Sequence, residues 1–146
     1  MMTTESSLSI DEKQKALVET FEFFEDWTDR YEHIISLGKE LAPLSTEYKT
    51  DENLIKGCQS QVWLHAKMND GKLYFSADSD AIITKGLISM IIQVFSGHSA
   101  EEIINTELTF IDQIGLKEHL SPTRSNGLLS MVKQIKFYAI AFSAKS

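Results

Sequence analysis

The stretch Val62-Trp63-Leu64-His65-Ala66-Lys67-Met68-Asn69-Asp70-Gly71-Lys72-Leu73-Tyr74-Phe75-Ser76-Ala77 decides the fold. Val62, Leu64, Ala66 and Met68 alternate with Gln61, Trp63, His65 and Lys67. A period of two marks a strand with one buried face. Asp70-Gly71 tolerates positive φ and predicts a tight hairpin turn. Leu73, Phe75 and Ala77 then alternate with Tyr74 and Ser76 on a return strand. Residues Asn53 to Lys56 read as a short earlier strand, joined to Gln61 through Gly57-Cys58-Gln59-Ser60. Together they predict an antiparallel sheet of about three strands.

The period changes to helical on both sides. Upstream, Ser9-Ile10-Asp11-Glu12 is a capping box, and Leu17, Phe21 and Phe24 follow on one face. Asp26 or Thr28 starts a second helix with Tyr31, Ile34, Ile35, Gly38 and Leu41 on one stripe, ended by Pro43. Downstream, Ser79 or Asp80 is expected to cap a helix carrying Ile82, Ile83, Leu87, Ile88, Ile91, Ile92 and Phe95. Apolar on most of its circumference, it reads as the central buried helix, with Gly97 just past its end. Ser99-x-x-Glu102 is a second capping box, Phe110 to Leu120 a further helical segment, and 121–127 a loop. Leu128 to Phe142 is the last helix, with Leu128, Met131, Val132, Ile135, Tyr138 and Phe142 facing inward. Helices, a small meander, then helices again give an α+β domain, with no alternating βαβ unit.

The chain has 146 residues, the size of one domain with a core of its own, so residues 1–146 read as a single domain with residues 1–9 as a frayed tail. Fourteen Lys and Arg against 21 Asp and Glu give a net charge of −7. That sign disfavours nucleic acid, whose phosphates need cations, and suits solubility or a basic protein partner. No basic-then-apolar leader opens the sequence. The most apolar stretch, Gly86 to Phe95, is interrupted by Ser89 and Gln93 and is too short to span a bilayer, which needs roughly 18–20 residues. No membrane role is expected, and a cytoplasmic location follows. One cysteine excludes an intramolecular disulfide and an all-cysteine metal site.

Cys58 is the leading chemical candidate. It reads either as a small buried hydrophobe or as a reactive thiol at a loop tip. Gly57 permits the sharp turn, Gln59 and Ser60 are polar, and the turn's N–H groups suit an anionic sulfur. Lys56 or Arg124 would raise the thiolate fraction if either reached it. His33, His65, His98 and His119 form no metal-binding spacing, so no metal is expected. A Cys58–His65 dyad faces a separation of seven positions, which spans about 23 Å along a strand. Asp78-Ser79-Asp80 reads as helix capping ahead of an acidic metal motif.

The string Gly57-Cys58-Gln59-Ser60-Gln61-Val62-Trp63-Leu64 resembles the active-cysteine motif of the SufE family. Two further blocks, Asp78 to Leu87 and Leu120 to Leu128, fit in the family's order, and the likeness covers roughly residues 11 to 143. It departs at Thr123, where a serine is common, and at Lys49, where arginine would supply a planar fork. The resemblance implies the fold of SufE and of the IscU/NifU N-terminal scaffolds. It implies a sulfur carrier for iron–sulfur cluster assembly, acting through a transient persulfide on Cys58, with Gly57, Gln59 and Ser60 supporting the loop. Lys56, Asp78, Asp80 and Arg124 become contacts for the thiolate or the partner. The implied partners are a SufS- or CsdA-type cysteine desulfurase, which carries the pyridoxal phosphate, and a downstream SufBCD-like scaffold. The chain itself needs no cofactor, is no enzyme alone, and acts as monomer or homodimer. The competing readings are a cysteine-dependent hydrolase and an IscU-like iron–sulfur scaffold, the latter short of ligands with one cysteine. Because one loop must both hide and deliver one sulfur, it is expected to pack inward when idle and swing out when docked.

Overall fold

The computed structural model describes residues 9–145. Two helices lead, α1 (Ile10–Glu22) and α2 (Trp27–Glu40). Single 3-10 turns at Thr46–Tyr48 and Asp51–Asn53 carry the chain to the hairpin of β1 (Val62–Asn69) and β2 (Lys72–Ser79). Then come α3 (Ile82–Phe95), α4 (Ala100–Asn105), α5 (Phe110–Ile114), α6 (Leu116–His119) and the long α7 (Pro122–Lys145). The frayed-tail expectation for residues 1–9 lies outside the described residues except at Ser9, which caps α1.

The hairpin pairs antiparallel from Val62 opposite Ser79 to Asn69 opposite Lys72, around a turn in which Asp70 and Gly71 both adopt positive φ. Val62, Leu64, Leu73, Phe75 and Ala77 are buried on one face, but towards the turn Ala66 is only partly buried and Met68 is exposed, contrary to the alternation. Both capping boxes form: the Ser9 and Ser99 hydroxyls accept from Glu12 and Glu102 N–H, and each glutamate accepts in return.

The architecture is the expected α+β, with α3 at its centre. Ten of its fourteen residues are buried, and it packs against α2, β2, α1 and α7. Contact with α2 is made through glycines. A Cβ on Gly86 would lie 2.0 Å from the Ile34 carbonyl oxygen, and one on Gly38 would lie 2.7 Å from the Gly86 nitrogen. The two backbones touch, which seats α3 deep in the core.

Several boundaries differ from the sequence reading: α1 stops at Glu22, short of Phe24, and α7 runs past Phe142 to Lys145. Residues Asn53 to Lys56 are not a strand: Leu54 makes a single antiparallel bridge to Trp63, and the sheet has two strands among the described residues. Neither Ser79 nor Asp80 caps α3, whose N-cap is Ala81. Ser79 Oγ accepts instead from Ala81 N–H, and Asp80 Oδ1 from Gln61 N–H. The 110–120 segment is split by Gly115 at φ +87°. Residues 122–127 are helical, so α7 starts six residues earlier than its apolar stripe. Ser121 accepts from Arg124 N–H through its hydroxyl and from Ser125 N–H through its carbonyl, and Pro122 takes the first helical position.

Candidate functional site

Residues 41–57 run as a strap from α2 to the cysteine. Leu44 and Ile55 anchor it in the core, Tyr48 stacks on His65 at 3.9 Å between ring centroids, and Lys49 lies 5.5 Å over the Trp63 ring. Ile55 N–H donates to the Val62 carbonyl at 2.8 Å, and Gln61 and Asp80 exchange hydrogen bonds at 3.1 and 3.2 Å. The loop 56–61 is therefore closed at its neck and braced on its return. Within it Gly57 turns at φ +92°, and Cys58 follows at the tip.

The tip rests on α7. The Cys58 thiol donates to the Gly127 carbonyl (Sγ to O 3.5 Å). Gly57 lies so close to the same helix that a Cβ there would meet Ser130 Oγ at 2.5 Å. Cys58 is half-buried at a cavity of about 40 Å³ whose far walls are Thr84 and Leu87 of α3 and Ser121, Arg124 and Met131. Gln59 and Ser60 line it as well. The extra helical turn of α7 thus brings Arg124 and Gly127 to the cysteine, a convergence that reading 121–127 as a loop had left undefined.

Burial pushes the Cys58 thiol up from its ordinary value, with no offset from a cation. Arg124 shares the cavity, whereas Lys56 is exposed and outside it. The resting cysteine is therefore a protonated, weakly nucleophilic thiol. Asp78 does not reach the cavity either. Its buried carboxylate pairs with Lys49 at 3.1 Å and Lys85 at 3.3 Å, and accepts from Ser79 N–H at 2.8 Å. Burial raises its pKa, but these three donors outweigh that and hold it below the usual carboxylate range. Asp78 is an anchor for the strap, and Asp80 a brace for the loop.

No histidine lines the cavity. His33 packs between Phe21 and Phe24, and His119 stacks on Trp27. His98 is buried beside Glu102 at 3.6 Å. Burial lowers the pKa of both His33 and His98, His98 being pushed further by Lys13. No group of three or more His, Cys, Asp or Glu side chains among the described residues is placed to hold a metal.

The family model described as "SufE: Fe-S metabolism associated domain" matches residues 15–139. The chain belongs to the SufE family. A SufE-like protein of Rhizobium meliloti is 43% identical over 125 residues, covering 82% of this chain and 89% of its own length. A SufE-like protein of Synechocystis is 39% identical over 126 residues, covering 86% and 79%. SufE-like protein 1, chloroplastic/mitochondrial, of Arabidopsis thaliana is 36% identical over 134 residues, covering 91% of this chain but 36% of the longer plant protein. The solution structure of a hypothetical protein from Thermus thermophilus superposes with a TM-score of 0.73 at 19% identity, covering 88% of this chain and 94% of that one. At that identity it speaks for the fold alone. The SufE domain places the chain in iron–sulfur metabolism. No helix of the described residues is long and apolar enough to cross a membrane.

Proposed function

We propose that this SufE-family protein is a sulfur acceptor and carrier for iron–sulfur cluster assembly, with Cys58 as the carrying residue. The observation that supports it most is the setting of Cys58. The sole cysteine stands at the tip of a loop closed at its neck, its thiol turned onto the Gly127 carbonyl at a cavity sized for a small group.

The chemistry is a thiol exchange. Cys58–SH first loses its proton to solvent or to a base of the partner. The thiolate then attacks the outer sulfur of the donor cysteine persulfide on a pyridoxal-phosphate desulfurase of the SufS or CsdA type. A new S–S bond forms at Cys58, the donor's S–S bond breaks, and the donor cysteine leaves as thiolate. Cys58–S–SH is then discharged to a SufBCD-like scaffold. Because burial keeps the resting thiol protonated, the loop leaves its seat on α7 before it reacts, and returns to shelter the sulfur it has gained. Acting alone, in the cytoplasm, the protein turns nothing over. The desulfurase supplies the cofactor chemistry, and removal of its sulfur is how this chain stimulates it.

Neither competing reading has equal support. A thiol hydrolase needs a base beside Cys58, and His65 is occupied with Tyr48 on the hairpin. A scaffold needs several thiolates. The deciding comparison is alanine production by such a desulfurase with wild-type protein and with Cys58→Ser. Stimulation by wild type and none by the variant is expected. Equal stimulation by both would overturn the assignment.

A further inference from the structure

The outward side of α7 is apolar where a surface helix is ordinarily polar. Leu128, Met131, Ile135 and Ala139 take the inward side and are buried. On the other side Leu129, Phe137 and Ile140 are 41%, 61% and 55% exposed. At about 100° and 1.5 Å per residue, these three and Lys133 fall within an arc of about 80° and along about 17 Å of helix. The other large apolar side chains exposed among the described residues, Phe23, Met68, Tyr74 and Ile82, lie one each at the end of α1, on β1, on β2 and on α3. Scattered exposure of that kind is ordinary, whereas a stripe on one helix calls for a reason. The same helix differs from the rest of the protein in charge. After Glu118 the sequence holds Arg124, Lys133, Lys136 and Lys145 and no Asp or Glu, while the residues up to Glu118 hold ten Lys and Arg against 21 acids. Lys136 is occupied with the Ile104 and Thr106 carbonyls. Lys133, in the middle of the stripe, is exposed and has no carboxylate within ion-pair distance among the described residues. The stripe also starts at the site, because Ser130, next to Leu129, is the residue on which Gly57 rests.

We propose that the stripe Leu129, Lys133, Phe137 and Ile140 is a docking track for the sulfur donor, which meets it with an acidic surface carrying apolar side chains. It rests on the reading of Cys58 as the sulfur carrier and adds which outer face of α7 holds the partner. The donor is the partner that meets the resting state, with the cysteine loop seated on α7, and a protein that grips this loop is already at the first residue of the stripe. Phe137 and Ile140 supply the apolar anchors, as buried aromatic and aliphatic side chains do at interfaces, and Lys133 between them selects an acidic partner. The two other occupants fit less well. A second copy docked face to face would set an acid-free helix against the same cations. An anionic bilayer is broad enough to feel the net charge of −7 and would repel it.

The test is a calorimetric titration of a SufS-type desulfurase with wild type, with Lys133→Glu, and with the double variant Phe137→Gln, Ile140→Gln. Glutamine keeps the helix propensity of these exposed positions, and Lys133→Glu is a second probe should the double variant fold poorly. The double variant is expected to bind about ten-fold more weakly or worse. Lys133→Glu is expected to bind about five-fold more weakly at low salt, the difference shrinking below about two-fold near 0.5 M salt. Phe23→Gln, an equally exposed apolar site elsewhere, is expected to stay within about two-fold of wild type. Affinities within about two-fold of wild type for both stripe variants would overturn the proposal, as would tighter binding by Lys133→Glu or an equal loss in Phe23→Gln. Phosphatidylserine vesicles that retain wild type but not the double variant, or a wild-type dimer that the double variant splits, with desulfurase affinity unchanged, would overturn it in favour of those occupants. Binding is read without sulfur transfer. A stripe-dependent complex that leaves Cys58 unloaded would sink the carrier reading alone, and equal affinities with Cys58 loaded would sink this proposal alone.

Discussion

The Lys49 ammonium and the Asp78 carboxylate form an ion pair, Nζ to Oδ2 3.1 Å, that fastens the cysteine-bearing strap to the hairpin. Lys49 also lies over Trp63, which faces Asp78 across the two strands, so one lysine grips both strands at once. An ammonium meets this site as a point charge, and no planar fork is needed where the carboxylate has Lys85 on its other oxygen.

Asp78 therefore links stability to acid pH. Its pKa is held low in the folded state, so its contribution is fully present above the unfolded value of about 3.9 and is lost as pH falls through the lower folded value. Urea midpoints measured from pH 6 downward are expected to drop less steeply below about pH 4 in Asp78→Asn than in wild type. At neutral pH the variant is expected to be less stable by about 1–3 kcal/mol, because two lysines lose their partner but remain able to reach water.

Cys58 provides a second titration. Burial alone raises its pKa, so the rate of alkylation of the free protein is expected to climb with a midpoint above the ordinary thiol value of about 8.5. Arg124→Ala is expected to leave that midpoint in place, since no cation offsets the burial. A midpoint near neutrality, or one that moved upward on losing Arg124, would show a thiolate held by charge.

The α2–α3 contact makes a stability prediction. Gly86→Ala would drive a methyl into the Ile34 carbonyl, and neither backbone can yield without displacing the central helix. A loss of about 3 kcal/mol or more in denaturant unfolding is expected, against a gain or no change for alanine at an exposed helical site.

Much of this molecule could be read before its structure, and the reasons are local. Alternation from Val62 to Ala77 and the Asp70-Gly71 turn marked the hairpin, because side-chain period and positive φ are properties of short stretches. Ser9 and Ser99 marked helix starts through glutamates three residues on. The start of α7 was hidden by a polar run ending in Asn126-Gly127, although Ser121-Pro122 carried the signal of a capped first turn. Asn53 to Lys56 looked like a strand because its apolar pair, Leu54 and Ile55, does pair with the hairpin, but for too few residues to make a ladder. At the site, Cys58 stood out through its motif. That Asp78 turns to Lys49, and that Gly127 lies under the sulfur, depend on contacts between residues about 30 and 70 positions apart, which no local pattern encodes.

The most direct measurement of the central claim is the intact mass of this protein after incubation with a pyridoxal-phosphate cysteine desulfurase and free cysteine. One added sulfur on the peptide containing Cys58, removed by dithiothreitol, is the predicted result. An unchanged mass, with the desulfurase shown to be turning over, would contradict it.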